Sequence, residues 1–438
     1  MENKVPLRIA NILINALKGG VVPRVGLEYI TVGRTLEIAA ILHDIEMIED
    51  SSASFRFIVG KYGSGKSFLL QTIRNYATSK GFAVVDADLS PERRFAGTKG
   101  QGLATYKELI QNLSTKSKPD GGALPLILEK WISGIQASVR LQSDAEGDEF
   151  DRLVEKHIYA VAGSLEGMVN GFEFAKAIVT YWRAYCHDDA SMKSNVLKWF
   201  RGEYTSRKEA KADLDINFIV TDDTWYDFLK IFAVFLVSAG YKGMLVIIDE
   251  LVNIFKIPNS ITRQNNYEKI LTMYNDVLQG KAKHIGFLLG GTPQCIEDKY
   301  KGVFSYEALR SRLAEGHFAT EDLKDLSAPI IRLQMLTEEE MYVLVEKLRD
   351  IHAQLYNYSP SLGHDELLYF LTAEYNRVGA ESHITPREII RDFIELINIL
   401  HQNPQKSISE ILGSNSFQMA KGGITEEEIH ADFEEFEV

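Results

Sequence analysis

Five short apolar runs punctuate the chain, at residues 55–59, 82–88, 244–248, 284–290 and 330–333. They are rich in Val, Ile, Leu and Phe and show little of the alternation that one wet face would impose. They therefore read as strands buried on both sides of a parallel sheet. After the first run, residues 68–73 return to a helical pattern. From about residue 102 to 240 the period is helical almost throughout, as in Leu126-Ile127-Leu128 with Trp131-Ile132, or Ala177-Ile178-Val179 with Tyr181-Trp182. The polar stretch 114–122 reads as a linker into this helical segment.

Beyond Leu336 the pattern changes to helices alone. Thr337-Glu338-Glu339-Glu340 is a capping-box-like start for a helix reaching about residue 355. A second helix is expected over 365–376. A third opens at Thr385-Pro386-Arg387-Glu388, with proline in the first turn and Ile389, Ile390, Phe393, Ile394 and Ile397 on one face. The expected fold class is α/β, with a parallel sheet, a large helical insertion and a C-terminal helical lid. The expected organisation is an α/β domain over 1–336 carrying an insertion at about 115–220, a lid over 337–412, and an acidic tail over 413–438. No internal repeat is present.

Composition narrows the class only a little. Of 438 residues, 45% are apolar and 25% charged, ordinary values for a globular chain. No apolar run approaches the roughly 18 residues needed to span a bilayer, and the N-terminus lacks a signal-peptide pattern. Cys186 and Cys295 lie far apart, so a reducing compartment is expected, with no disulfide or zinc site. These features lead us to expect a cytoplasmic protein without a membrane partner. The net charge of −13 argues against a broad non-specific nucleic-acid surface. The basic clusters Arg93-Arg94 and Arg207-Lys208 with Lys211 read as solvated faces. The segment 425–438, acidic with interleaved Phe433, Phe436 and Val438, reads as a solvated terminus or a docking tail.

The chemistry enters with Gly60-Lys61-Tyr62-Gly63-Ser64-Gly65-Lys66-Ser67, a complete G-x-x-x-x-G-K-[ST] loop between an apolar run and the helix-like stretch opened by Phe68. Glycines let backbone N–H groups turn inward around phosphate oxygens, and the following helix points its positive end at the same anion. This is the Walker A phosphate loop of a nucleotide-binding site. ATP is the expected ligand: Lys66 would reach the β- and γ-phosphates, and Ser67 would offer its hydroxyl to Mg²⁺.

The run 244–248 ends in Asp249-Glu250, placing two carboxylates at the C-terminal end of a buried strand, where open α/β sheets bind ligands. This is the Walker B element. Asp249 would hold Mg²⁺ through its water shell, and Glu250 would orient and polarise the attacking water, which favours hydrolysis over a non-hydrolysing switch.

Four further residues match the plan of AAA+ ATPases, which the strand, loop and lid pattern resembles. Thr292 follows the run 284–290, where that family keeps a first sensor; a strand-ending turn residue before Pro293 is the alternative. Arg310 and Arg312, in Tyr306-Glu307-Ala308-Leu309-Arg310-Ser311-Arg312-Leu313, fall where the family delivers an arginine finger to a neighbour's nucleotide. The Ser-Arg-Leu triplet resembles the corresponding element of origin-recognition-type ATPases and favours Arg312, while ordinary surface ion pairs suit both arginines. Arg387 matches a second sensor reaching the γ-phosphate from the lid. Local packing is its alternative, although an arginine opposes the helix dipole there.

Over most of its length the chain resembles a particular AAA+ branch, the ATP-binding proteins of bacterial BREX-type phage-defence loci (BrxD-like). The resemblance rests on Gly19-Gly20-Val21-Val22-Pro23 with Thr31-Val32-Gly33-Arg34, on the G-x-Y-G-x-G-K-S form of the phosphate loop, and on Arg201-Gly202-Glu203-Tyr204-Thr205 with Lys208-Glu209-Ala210. It also rests on Gly240-Tyr241-Lys242-Gly243 leading into Asp249-Glu250-Leu251. It implies an ATPase that forms homo-oligomers and serves a helicase or other DNA-acting protein, with DNA bound directly or through that partner. By the same analogy Gly33 and Arg34 would pass near the adenine. The residues after the third lid helix do not read as a winged-helix domain of the origin-recognition type. Two functions stay open: an ATPase cycling between ATP and ADP forms to drive a DNA-acting complex, and a nucleotide-stabilised scaffold or adaptor with little turnover.

Overall fold

The computed structural model describes residues 4–165, 167–314, 325–377 and 385–413. The acidic tail therefore lies, but for Gly413, outside the described residues. Each expected strand is present: β1 (Ala53–Gly60), β2 (Ala83–Asp88), β3 (Met244–Asp249), β4 (Ile285–Gly291) and β5 (Ile330–Leu333). They form one sheet in the order β2-β3-β4-β1-β5, and β2, β3, β4 and β1 pair in parallel. In β3 and β4 every apolar residue is buried, as expected of strands covered on both faces. Among the described residues no helix is long and apolar enough to cross a membrane.

By contacts the chain separates into two compact units, residues 36–59 with 73–332, and residues 1–35 with 60–72 and 333–438. The first unit holds the sheet and the long helical segment, whose helices include Leu124–Gln142, Gly147–Leu165, Gly171–Cys186 and Ala190–Phe200. This segment shares one apolar core with the strands. Phe174 is at its centre, with ring centroids 5.0 Å from both Phe200 and Phe232 and 5.8 Å from Phe235. Such aromatic pairs add about 0.5–1.5 kcal/mol each to the burial itself. They tie the helical segment to the helix Trp225–Ser238 that precedes β3.

Two sequence expectations change here. The stretch 114–122 does not begin as a loose linker: Ser114 pairs with Val84 on the outer side of β2, through backbone bonds of 2.8 and 2.9 Å. Arg74 clamps it further, donating to Ser114 Oγ at 3.1 Å and to the Pro119 carbonyl at 2.9 Å. A sheet edge left bare invites wrong pairing, and this segment partly covers it. Arg93 and Arg94 are half-buried rather than on a solvated face, with Arg93 Nε donating to the Asp88 carbonyl at 2.9 Å. Arg207, Lys208 and Lys211 are exposed, as expected.

The second unit packs the N-terminal helix Leu7–Lys18 with the C-terminal helices Glu338–Tyr356, His364–Tyr375 and Pro386–Gln402 around its own core. The capping box at Thr337 is present, with Thr337 Oγ1 accepting from Glu340 N at 3.2 Å and Glu340 Oε2 from Thr337 N at 3.0 Å. Thr385 and Glu388 form a second box.

Glu374 is fully buried between two of these helices. Its Oε2 accepts from Arg377 Nη1 at 2.9 Å, and its Oε1 has no hydrogen-bond partner among the described residues. Burial pushes its carboxyl up to about 7, against the pull of Arg377. Between pH 4.5, its ordinary value, and about 7, the native state keeps a proton that the unfolded chain has released. Stability of this unit therefore falls as pH rises across that window and is level above it. Glu374→Gln, which cannot ionise, is expected to flatten the fall. Hydrogen exchange of the helix His364–Tyr375 across the pH range reads this, and an unchanged slope in the variant would refute it.

Candidate functional site

The phosphate loop follows directly from β1. Gly63 and Gly65 take left-handed backbone conformations, with φ of 79° and 86°, which side-chain-bearing residues enter at a cost. Consecutive turns of this kind orient N–H groups into an anion-binding concavity. The helix Lys66–Ser79 then begins at the lysine of the motif, so its first-turn N–H groups face the same anion position. Lys66 Nζ lies over the loop, donating to the Gly60 and Lys61 carbonyls at 2.8 and 3.0 Å. Ser64 is buried, and its hydroxyl has no partner among the described residues. Ser67 is exposed at the helix start, and Phe68 packs into the helical unit's core. Left-handed glycines, a helix N-terminus, an ammonium and a hydroxyl together fit the triphosphate of a nucleotide.

Within the same unit, residues from both ends of the chain converge on this loop. Arg34 has φ of 63°, and its Nη2 donates to the Ser64 carbonyl at 3.1 Å and also to the Gln334 carbonyl. The guanidinium thereby braces the loop's backbone, a role that motif spacing did not suggest. Gly33 sits against Glu340, close enough that a methyl group there would overlap the carboxylate. From the third C-terminal helix, Thr385 packs on Gly63, where a methyl group would come within 2.7 Å of Thr385 Cβ. Arg387 Nη1 donates to the Tyr62 hydroxyl at 3.1 Å.

The sheet unit carries the remaining candidates. β3 ends at Asp249, half-buried, and Glu250 follows with φ of 63°, its N–H donating to Asp249 Oδ1 at 2.8 Å. That left-handed turn takes the chain out of the strand immediately after Asp249. Asp88, at the end of β2, stands in register with Asp249. Burial raises the Asp88 carboxyl above its usual range, the charges of Asp249 and Asp86 raise it further, and Arg93 opposes them. Sequence reasoning did not single out Asp88. The available signal was an acid closing a second buried strand, as Asp249 closes the first.

Among the described residues no group of three or more His, Cys, Asp or Glu side chains is arranged to hold a metal. Mg²⁺ does not require one, since it takes one or two carboxylates plus substrate phosphates and water. The oxygen donors Ser67 and Asp249 are of the hard type that it prefers.

Thr292 lies at the end of β4, between β1 and β3 in the sheet. Its hydroxyl accepts from Cys295 N at 3.4 Å and caps the short helix Pro293–Glu297. Arg310 and Arg312 lie on the helix Glu307–Leu313 and are exposed. Arg310 pairs with Glu307 at 4.0 Å, and Arg312 Nη1 donates to the Ala308 carbonyl at 2.7 Å. The structure thus gathers Gly33, Arg34, the phosphate loop and Arg387 in one unit. Asp249, Glu250, Thr292, Arg310 and Arg312 belong to the other.

The Arg201–Ala210 motif proves to be interlocked with itself. The Tyr204 hydroxyl donates to Asp213 Oδ2 at 2.9 Å, Lys198 lies over the Tyr204 ring at 4.3 Å and pairs with Glu209 at 2.6 Å, and Ser206 caps the helix Arg207–Leu214. Its residues fasten the helices Ala190–Phe200 and Arg207–Leu214 together.

A model of the family described as BREX system ATP-binding protein BrxC/D matches residues 5–416. No curated protein matches the chain.

Proposed function

The chain belongs to the family of BREX system ATP-binding proteins, and we propose that it is an Mg²⁺-dependent ATP hydrolase of AAA+ type. In this reading its turnover drives assembly or conformational change of a DNA-acting complex in defence against phage. The family supports ATP binding and the defence role. Hydrolysis is supported by one observation above the others. β3, its apolar residues all buried, ends in two adjacent carboxylates, Asp249 half-buried and Glu250 exposed and turned out of the strand at φ 63°.

The loop's N–H groups and Lys66 bind the phosphates. Ser67 and Asp249 would hold Mg²⁺, which when bound would neutralise charge on phosphate oxygens. Glu250 orients a water and accepts its proton. Thr292, set between the two strands, is the polar group that would sense the γ-phosphate from the sheet, and Arg387 would sense it from the helical lid. Hydrolysis would then release the lid, turning chemistry into movement. The partner class is a helicase or another DNA-acting protein.

A neighbouring copy would complete the site through Arg312 or Arg310. Both are exposed, and the Arg310–Glu307 pair, at 4.0 Å in solvent, is the weak kind of contact that gives way readily. Arg312→Ala is expected to lose turnover while keeping ATP binding. Mixing it with Glu250→Gln protein should restore part of the rate, because some interfaces then combine an intact base with an intact arginine. Absence of rescue in mixed oligomers would rule out an intersubunit finger.

A further inference from the structure

The loop residue Tyr62 is 71% exposed, large and aromatic, at a motif position where phosphate binding by itself asks for no side chain. Its surroundings give it a task. The Arg387 guanidinium carbon lies 5.6 Å from the centre of the Tyr62 ring, and Arg387 Nη1 donates to the hydroxyl at 3.1 Å. Ring and hydroxyl thus engage one cation together, the ring through its negative face and the hydroxyl as an acceptor. The arginine's stem lies near Gly20 of the N-terminal segment, where a methyl group would come 3.8 Å from Arg387 Cδ. The backbone behind it is fixed by the Thr385–Glu388 capping box and by the close approach of Thr385 to Gly63.

Arg387 needs such support. It sits in the first turn of its helix, where the exposed N–H groups repel a cation, and a free arginine there would turn away into solvent. A long side chain also surrenders rotamer freedom whenever it is held to one place. A guanidinium already held over the loop surrenders less on meeting a phosphoryl oxygen.

We propose that Tyr62 is a positioning residue that holds Arg387 over the phosphate loop and so gives the protein its preference for a nucleoside triphosphate over a diphosphate. The proposal rests on the reading of Arg387 as the γ-phosphate sensor. Tyr62 acts through the arginine alone, and the aromatic ring, whose face attracts a cation even at an exposed site, supplies most of the hold, since water readily replaces the hydroxyl as an acceptor.

The test is a double-mutant cycle read as the ratio of ATP to ADP affinity. A fluorescent nucleotide is displaced by each, in Glu250→Gln protein so that ATP persists. Arg387→Ala is expected to lower the ratio about tenfold, as loss of one charge-assisted contact does. Tyr62→Ala should lower it by several-fold, the loss falling on ATP more than on ADP, and Tyr62→Phe should restore most of it. In the Arg387→Ala background, Tyr62→Ala should add nothing. A Tyr62→Ala variant that weakens ATP and ADP equally, that leaves or raises the ratio, or that still lowers it without Arg387, would overturn the proposal. An unchanged ratio in Arg387→Ala would instead remove the sensor reading on which it stands.

Discussion

Lys66→Ala is expected to abolish ATP binding, lowering affinity by at least about a hundredfold, on the scale of two lost charge-assisted hydrogen bonds to phosphate. The ammonium is the charged group of the loop best placed to reach phosphate, since its Nζ already lies over the Gly60 and Lys61 carbonyls. On binding it would exchange those neutral acceptors for anionic ones, adding a direct charge–charge attraction to each bond. Alanine offers neither charge nor donor, and the loop's other ammonium, on Lys61, stands on an exposed residue before the left-handed turns at Gly63 and Gly65. Titration calorimetry with ATP and Mg²⁺ reads the loss, and an unchanged melting temperature without nucleotide would separate it from misfolding. Retained affinity would overturn the assignment of the loop.

Glu250→Gln is expected to bind ATP as the unchanged protein does and to lose turnover by about 10² to 10⁴, the usual contribution of a positioned general base. The amide keeps the size and hydrogen-bonding reach of the carboxylate but cannot accept the proton. Glutamine also suits the same backbone, so the left-handed turn at φ 63° is unaffected relative to glutamate. Loss of rate with retained binding separates a group that acts in the transition state from one that only binds substrate. Wild-type turnover in this variant would remove Glu250 from the chemistry.

What could be read along the chain, and what could not, follows from the range of the interactions involved. The strands and the phosphate loop were legible because a buried parallel strand declares itself as an unbroken apolar run, and because the loop's glycines and lysine follow one another directly. The helix after Leu336 was legible for the same local reason, since Thr337 and Glu340 bond across one turn. The features that escaped are contacts between distant residues. Ser114 pairs with Val84 only once the helix Gln101–Gln111 has returned the chain to β2, so a polar stretch that read as a linker became part of the sheet's margin. Arg93, half-buried, also bonds back to the Asp88 carbonyl.

At the site the same distinction holds. Lys66, Ser67, Asp249 and Glu250 could be named as candidates because their motifs are written in consecutive letters. Asp88 could not, because its closeness to Asp249 depends on β2 lying beside β3, which the order of strands along the chain leaves open. Arg34 was expected near a base on family resemblance, and in the structure its guanidinium holds the Ser64 carbonyl. Nothing local to Arg34 signals that bond, which depends on how the N-terminal segment packs on the loop.

The central claim, that bound ATP is turned over by an assembling enzyme, is tested most directly by ATP hydrolysis of the purified protein. It is measured across a range of protein concentrations with Mg²⁺ present, with and without single- and double-stranded DNA. The expected result is a rate per subunit that climbs with concentration or on adding DNA and disappears in Glu250→Gln. A flat rate near zero at every concentration, in protein that still binds ATP tightly, would contradict the claim and leave a scaffold that ATP merely stabilises.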